Sequence, residues 1–192
     1  MDWVTRTLTV SALQGQIKES TRRISELVTA VKSYSQMDRG SMQRIDVTEG
    51  LESTLVMLGH RLREGGITVV RDYGEGLPEV EAFPGELNQV WTNLIDNAAD
   101  AMAGVGTLRV STRSEADSVV VEIADTGPGM PPEVAQRAFE AFFTTKEVGK
   151  GTGLGLDIAR RIVVQRHGGA ITIDSEPGNT VMRVTLPTTQ TG

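Results

Sequence analysis

Gln89, Asn93 and Asn97 stand four residues apart, a spacing that sets three side-chain amides in one row of an α-helix. Leu94, Ile95, Ala98 and Ala101 supply apolar contacts beside that row. Amide oxygens are neutral hard donors, able to hold a Mg²⁺ ion together with phosphate oxygens. Unpaired amides on a core-facing helix are costly, so the row asks for a partner. Taken alone, it also suits a helix whose asparagines are simply solvated.

Two more stretches carry chemistry. In IADTGPGM, residues 123–130, a strand delivers Asp125, and Gly127 and Gly129 let the backbone turn and approach a ligand. A carboxylate there accepts hydrogen bonds, and the exocyclic amine of a purine is a natural donor; alone, the same stretch is an ordinary turn. In FFTTKEVGKGTGLGL, residues 142–156, Gly149, Gly151, Gly153 and Gly155 alternate with Lys150, Thr152, Leu154 and Leu156. Glycines that free backbone N–H groups, with a helix expected to begin inside the run, make a phosphate site. A P-loop would need Gly at 144 and Ser or Thr at 151, where the chain has Thr144 and Gly151. A dinucleotide fingerprint would follow a strand directly and place glycine at 154, where the chain has Leu154. A loose linker is disfavoured because Leu154, Leu156, Ile158 and Ile162 continue as a helix face.

The elements that must position these residues are legible from pattern. Asp46 with Glu49 three residues on is a capping-box-like start for a helix carrying Leu51, Leu55, Leu58 and Leu62, which Gly65 and Gly66 end. Residues 67–73 read as a strand, and Pro84 suits the first turn of the amide-bearing helix. Residues 107–113 and 118–125 form a strand hairpin, a short helix follows near 132–138, and another runs from about 153 to Gly168. AITIDS and TVMRVTL close a second hairpin around EPGN. The expected class is α+β, a mixed sheet with helices on one face.

Residues 1–45 read differently. Trp3, Val10, Ile17, Ile24 and Val31 recur every seven residues, and Leu13, Leu27 and Tyr34 form the complementary row, broken at Ser20. This a/d seam calls for a long helix that pairs in a bundle or homodimer; an amphipathic helix lying on its own domain is the alternative. DRGSMQ, residues 38–43, has turn composition and ends it. The division is 1–45 for the helical segment and 46–192 for the main domain.

Composition narrows the function. The 192 residues suit one domain with an appendage, and glycine is in excess at 21, six of them between 127 and 155. The net charge of −6 argues against a general nucleic-acid binder. Cysteine is absent and His60 and His167 are the two histidines, which excludes a thiolate nucleophile, a disulfide framework and a histidine-rich metal site. No apolar run approaches the roughly 20 residues of a membrane span and no signal-peptide layout begins the chain, so a cytoplasmic piece without membrane contact is expected.

In order and spacing, N-L-I-D-N-A, D-T-G-P-G, F-E-A-F-F-T-T-K and G-T-G-L-G-L resemble the N, G1, F and G2 boxes of the ATP-binding catalytic domain of sensor histidine kinases, in the GHKL superfamily. The resemblance covers about residues 46–188, and residues 5–38 are similar to the second helix of the dimerisation and histidine-phosphotransfer hairpin. It implies a two-layer α/β sandwich (the Bergerat ATP-binding fold) behind a long dimerisation-type helix. It also implies ATP and Mg²⁺, a histidine-bearing helix as acceptor, a response-regulator receiver domain as partner, and a homodimer in the full-length protein.

Residue by residue, the resemblance implies that Asn97 binds Mg²⁺ and that Asn93 helps hold it or the triphosphate. Asp125 would accept the N6 amine of adenine, with Gly127 and Gly129 admitting the base and Thr180 supporting the aspartate through a water. Phe139, Phe142 and Phe143 would anchor the base of the ATP lid. Lys146 and Lys150 would contact phosphate, and Gly151, Thr152, Gly153, Leu154 and Gly155 would cradle it through the backbone. Asn93 and Lys146 are the catalytic expectations. Residues 46–192 carry 12 basic and 21 acidic side chains, so backbone N–H groups and Mg²⁺ must attract ATP.

Hydrolytic and serine-phosphorylating members carry a glutamate four residues before the magnesium asparagine; here that position is Asn93. A neutral histidine is already nucleophilic and needs no strong carboxylate base, which favours histidine phosphorylation over an ATPase or serine kinase. A non-catalytic ATP-responsive dimer module is the other alternative. The family's acceptor motif is missing. His60 is expected in a surface or packing role, and His167 as a helix-ending cap with a favourable dipole contact. The chain is therefore expected to bind Mg·ATP without phosphorylating itself.

Overall fold

The computed structural model describes residues 41–146 and 151–189. Of the helical segment expected over residues 1–45, residues 1–40 lie outside them, as does Lys150, and residues 43–45 form a strand.

Strand β1 (Gln43–Ile45) leads into helix α1 (Val47–Glu64), capped by Asp46, whose carboxylate accepts from the Thr48 N–H at 2.8 Å and from the Thr48 hydroxyl at 2.7 Å. The cap bond thus goes to Thr48, one residue before the Glu49 of the expected box. Gly66, at φ 66°, ends the helix. Strands β2 (Ile67–Tyr73) and β3 (Val80–Ala82) follow, then α2 (Pro84–Met102) with Pro84 at its first turn. Strands β4 (Gly106–Glu115) and β5 (Ser118–Asp125) form a hairpin; α3 (Pro132–Arg137), α4 (Gly155–Arg161) and a π-helical turn, Ile162–Arg166, come next. Strands β6 (Ala170–Glu176) and β7 (Asn179–Pro187) close the order.

Five strands make one sheet in the order β2-β4-β5-β7-β6, parallel at β2–β4 and antiparallel elsewhere. One sheet face meets α1, α2 and α4. Alternation decides which: β4 buries Leu108, Val110 and Thr112 and exposes Arg109, while β7 buries Thr180, Met182, Val184 and Leu186. The outer face is solvated by ion pairs, Arg109 with Asp72 and Glu122 between Arg113 and Arg183. On the inner face Trp91, Leu94 and Ile95 of α2 are buried against Leu51 and Leu55 of α1 and Ile162 and Val163 of the π turn. This is the expected two-layer arrangement. The three-residue strands β1 and β3, which pair with each other, were not expected; segments so short carry no periodicity.

His167 ends the helix, as expected, and also reaches beyond it. Its ring is buried; Nδ1–H donates to the Ile162 carbonyl at 2.9 Å and Nε2 accepts from the Phe83 N–H at 3.1 Å. A ring that donates through one nitrogen and accepts through the other is neutral. It caps the π turn as a neutral ring and clamps that turn to the start of α2. Burial pushes its pKa below the ordinary value, against the smaller upward pulls of the Ile162 carbonyl and Glu86; Arg166 adds to the lowering.

Because the native state resists protonation at His167, this group's contribution to stability is complete above the unfolded value of 6.5 and is lost as pH falls towards the lower native pKa. Urea unfolding midpoints should drop between pH 7.5 and 5.5, and His167→Gln should flatten that drop. His167→Ala, which empties a buried side-chain site and leaves the half-buried Phe83 N–H without its partner, should cost about 2–4 kcal/mol at pH 7.5. An unchanged pH slope in the glutamine variant would show that His167 does not set it.

Candidate functional site

The site grows from α2. One side of this helix is committed to the core through Leu87, Trp91, Leu94 and Ala98, and the adjacent row presents Gln89, Asn93 and Asn97 to a cavity of about 590 Å³. The amide nitrogen Nδ2 of Asn93 is buried and has no hydrogen-bond partner among the described residues. Such a group is costly unless something else satisfies it, which marks this wall of the cavity as a ligand wall.

The far end of the cavity is built by the central strand. Asp125 is the last residue of β5, flanked in register by Leu108 of β4 and Thr180 of β7. Its side chain is buried, and Oδ1 accepts the Gly127 N–H at 2.8 Å. Burial raises its pKa above the ordinary value, partly offset by that N–H. A carboxylate so placed gains from any further donor the cavity admits. The hydroxyl of Thr180 lies 2.8 Å from that of Ser175, which also accepts the Met130 N–H, so this threonine is engaged beside the aspartate.

The turn after Asp125 is held to the β6–β7 hairpin: the Gly178 N–H donates to the Gly127 carbonyl at 2.9 Å. Gly129 has φ 79°, and a Cβ there would lie 2.6 Å from the Glu176 carbonyl oxygen. Only glycine fits a left-handed residue pressed so closely against backbone.

Across from the amide row, Gly151, Thr152, Gly153, Leu154 and Gly155 form the third wall. Gly155 begins α4 with its backbone facing Asn93; a Cβ there would lie 3.4 Å from Asn93 Oδ1. Gly153, at φ 67°, sits against the backbone of Phe142 and Phe143, and its carbonyl accepts the Phe142 N–H at 2.9 Å. Phe142 is 72% exposed, and its backbone N–H is what ties it to this segment. Phe143 lines the cavity and packs under Arg137, with the guanidinium 4.3 Å from its ring centroid.

Lys146 reaches into the cavity mouth. Its ammonium lies 3.3 Å from Asn97 Oδ1 and is also hydrogen-bonded to Asp100. Asn97 Oδ1 therefore already receives a cation, and the donor set of amide oxygens, with a carboxylate nearby, is of the hard oxygen type that suits Mg²⁺. Sequence reasoning overlooked Arg61, Asp96 and Asp100. Arg61 of α1 bridges both aspartates of α2 and lines the cavity. Asp96 and Asp100 carried a signal, each beside the amide row at helical spacing; Arg61, 35 residues from Asp96, carried none.

Comparison with known proteins follows the same geometry. Residues 83–190, more than half of the chain, match the family model described as Histidine kinase-, DNA gyrase B-, and HSP90-like ATPase. The sensor kinase CckA of Brucella abortus is 40% identical over 187 residues, covering 89% of this chain and 20% of that protein. The structure of full-length ShkA in complex with AMPPNP aligns with TM-score 0.78 and 26% identity over 95% of this chain and 39% of that one. Histidine kinase ThkA in complex with the response regulator protein TrrA aligns with TM-score 0.76 and 26% identity over 92% of this chain and 52% of that one. The chain thus spans from a fifth to about half of the length of these three proteins. Among the described residues no helix is long and apolar enough to cross a membrane. Its motifs, its sheet order and the cavity they build agree with the match, and the chain belongs to the histidine kinase-, DNA gyrase B- and HSP90-like ATPase family.

Proposed function

We propose that this chain is the ATP-binding catalytic part of a two-component sensor histidine kinase, which transfers the γ-phosphoryl group of ATP to a histidine on a separate helix for relay to a response regulator. The observation that carries the reading is the convergence of the amide row, buried Asp125 and the glycine segment on one cavity. The AMPPNP-bound ShkA and the regulator-bound ThkA support it by similarity. In this reading residues 46–192 are the ATP-binding domain and the dimerisation-type helix lies within residues 1–45, ahead of strand β1.

Each wall then has a task. Asp125 accepts the amine of adenine, and Gly127 and Gly129 keep side chains out of the base's path. Asn97 and Asn93 are the residues that would hold Mg²⁺, whose chemistry here is neutralising phosphate charge. The backbone from Gly151 to Gly155 and the ammonium of Lys146 face the phosphates. Phosphoryl transfer asks mainly for such positioning and charge stabilisation. Asn93 supplies no carboxylate base, which suits a histidine nucleophile better than water or serine. The exposed His60, 3.4 Å from Glu64 on α1, stands outside the cavity.

Calorimetry should find Mg²⁺-dependent ATP binding, weakened at least about tenfold (about 1.4 kcal/mol) by Asn97→Asp, which sets a negative charge beside the phosphates and holds Lys146 away from them, and by Asp125→Asn, which loses a charge-assisted hydrogen bond. If wild type and Asn97→Asp are alike, the magnesium assignment is wrong; if neither binds ATP, the reading falls. With γ-labelled ATP the chain itself should stay unlabelled, while an added histidine-bearing hairpin should acquire acid-labile phosphate. Steady phosphate release indifferent to the hairpin would favour an ATPase, and binding without transfer to any hairpin a non-catalytic module.

A further inference from the structure

Asp100 lies one turn beyond Asn97 on α2, and its two carboxylate oxygens are divided between two cations. Oδ1 accepts from Arg61 of α1 and Oδ2 from Lys146. Arg61 also holds Asp96, so its guanidinium spans two acceptors one helical turn apart and fixes the carboxylate of Asp100 in place. Lys146 is thereby held with its ammonium on Asn97 Oδ1, the oxygen assigned above to the metal. Two cations cannot share that oxygen at close range, so magnesium and Lys146 compete for it.

We propose that Asp100 is a positioning residue that holds Lys146 on the metal-binding amide and sets nucleotide affinity by competing with ATP phosphates for that lysine. The proposal rests on the nucleotide reading above. Binding exchanges a carboxylate–ammonium contact for a phosphate–ammonium contact, and Asn97 is released in the same exchange. Lys146 and Asp100 are each about one-third exposed, so solvent screens the contact and its loss tunes affinity without abolishing binding. Arg61, anchored on the neighbouring helix, is what lets a short aspartate act as a fixed acceptor. Overall charge does not do this work, since the four groups Arg61, Asp96, Asp100 and Lys146 sum to zero.

The test is a double-mutant cycle on the purified chain, with ATP titrated calorimetrically with and without Mg²⁺. Asp100→Asn should tighten ATP about threefold to fivefold in both conditions and leave the thermal unfolding midpoint in place. Lys146→Met should weaken ATP, and adding Asp100→Asn to it should then change nothing. Unchanged or weaker binding in Asp100→Asn overturns the proposal. So does a gain that persists in the Lys146→Met background, which would mark a general field effect of the lost charge. If the wild-type chain binds ATP but the cycle shows no coupling, only this proposal fails; if it binds no ATP, the nucleotide reading fails with it.

Discussion

A helix with 3.6 residues per turn offers several parallel rows of side chains, and the site depends on α2 using two of them at once. Leu87, Trp91, Leu94 and Ala98 are buried and fix the helix on the sheet. Asn93 and Asn97, in the adjoining row, then have no freedom to choose their neighbours: they face whatever the sheet and the glycine segment bring to that side. The buried Nδ2 of Asn93, without a partner among the described residues, follows from this geometry. Rotating the helix to satisfy it would expose Trp91 and Leu94, and burying large apolar side chains is worth more than one amide hydrogen bond.

The same rigidity bears on how an acidic chain would accept a polyanion in the proposed reading. Arg61 and Lys146 both line the cavity, yet each is paired with a carboxylate of α2. In the proposed reading, attraction for phosphate would rest on peptide groups, on a divalent ion and on cations that must be exchanged rather than merely found. Backbone donors carry no compensating carboxylate and need no side-chain ordering, so the glycine segment supplies polarity without adding net charge.

Two contacts remote from the cavity keep its walls in register. His167 joins the π turn to the backbone of Phe83 at the start of α2. Gly178 joins the β6–β7 hairpin to the turn after Asp125. The first ties the helical segment that continues α4 to α2, the second ties the turn after Asp125 to a hairpin, and each uses backbone on at least one side, so the alignment does not rest on long flexible side chains.

The chemistry of the walls was legible in the sequence because it depends on local repeats. A spacing of four puts Gln89, Asn93 and Asn97 in line, the valine-rich strand along 118–125 delivers Asp125 to its end, and glycines stand at every second position from 149 to 155. Most element limits followed from the same periodicities and from caps such as Asp46 and Pro84. What required the tertiary structure was every relation between segments distant along the chain: the β2-β4-β5-β7-β6 order, the pairing of β1 with β3, and Arg61 bridging Asp96 and Asp100. The exposure of Phe142 and the neutral, bridging state of His167 belong to the same group. Residue type and spacing determine what a side chain can do, but its exposure, its charge state and its partner are set by packing between elements that local pattern does not encode.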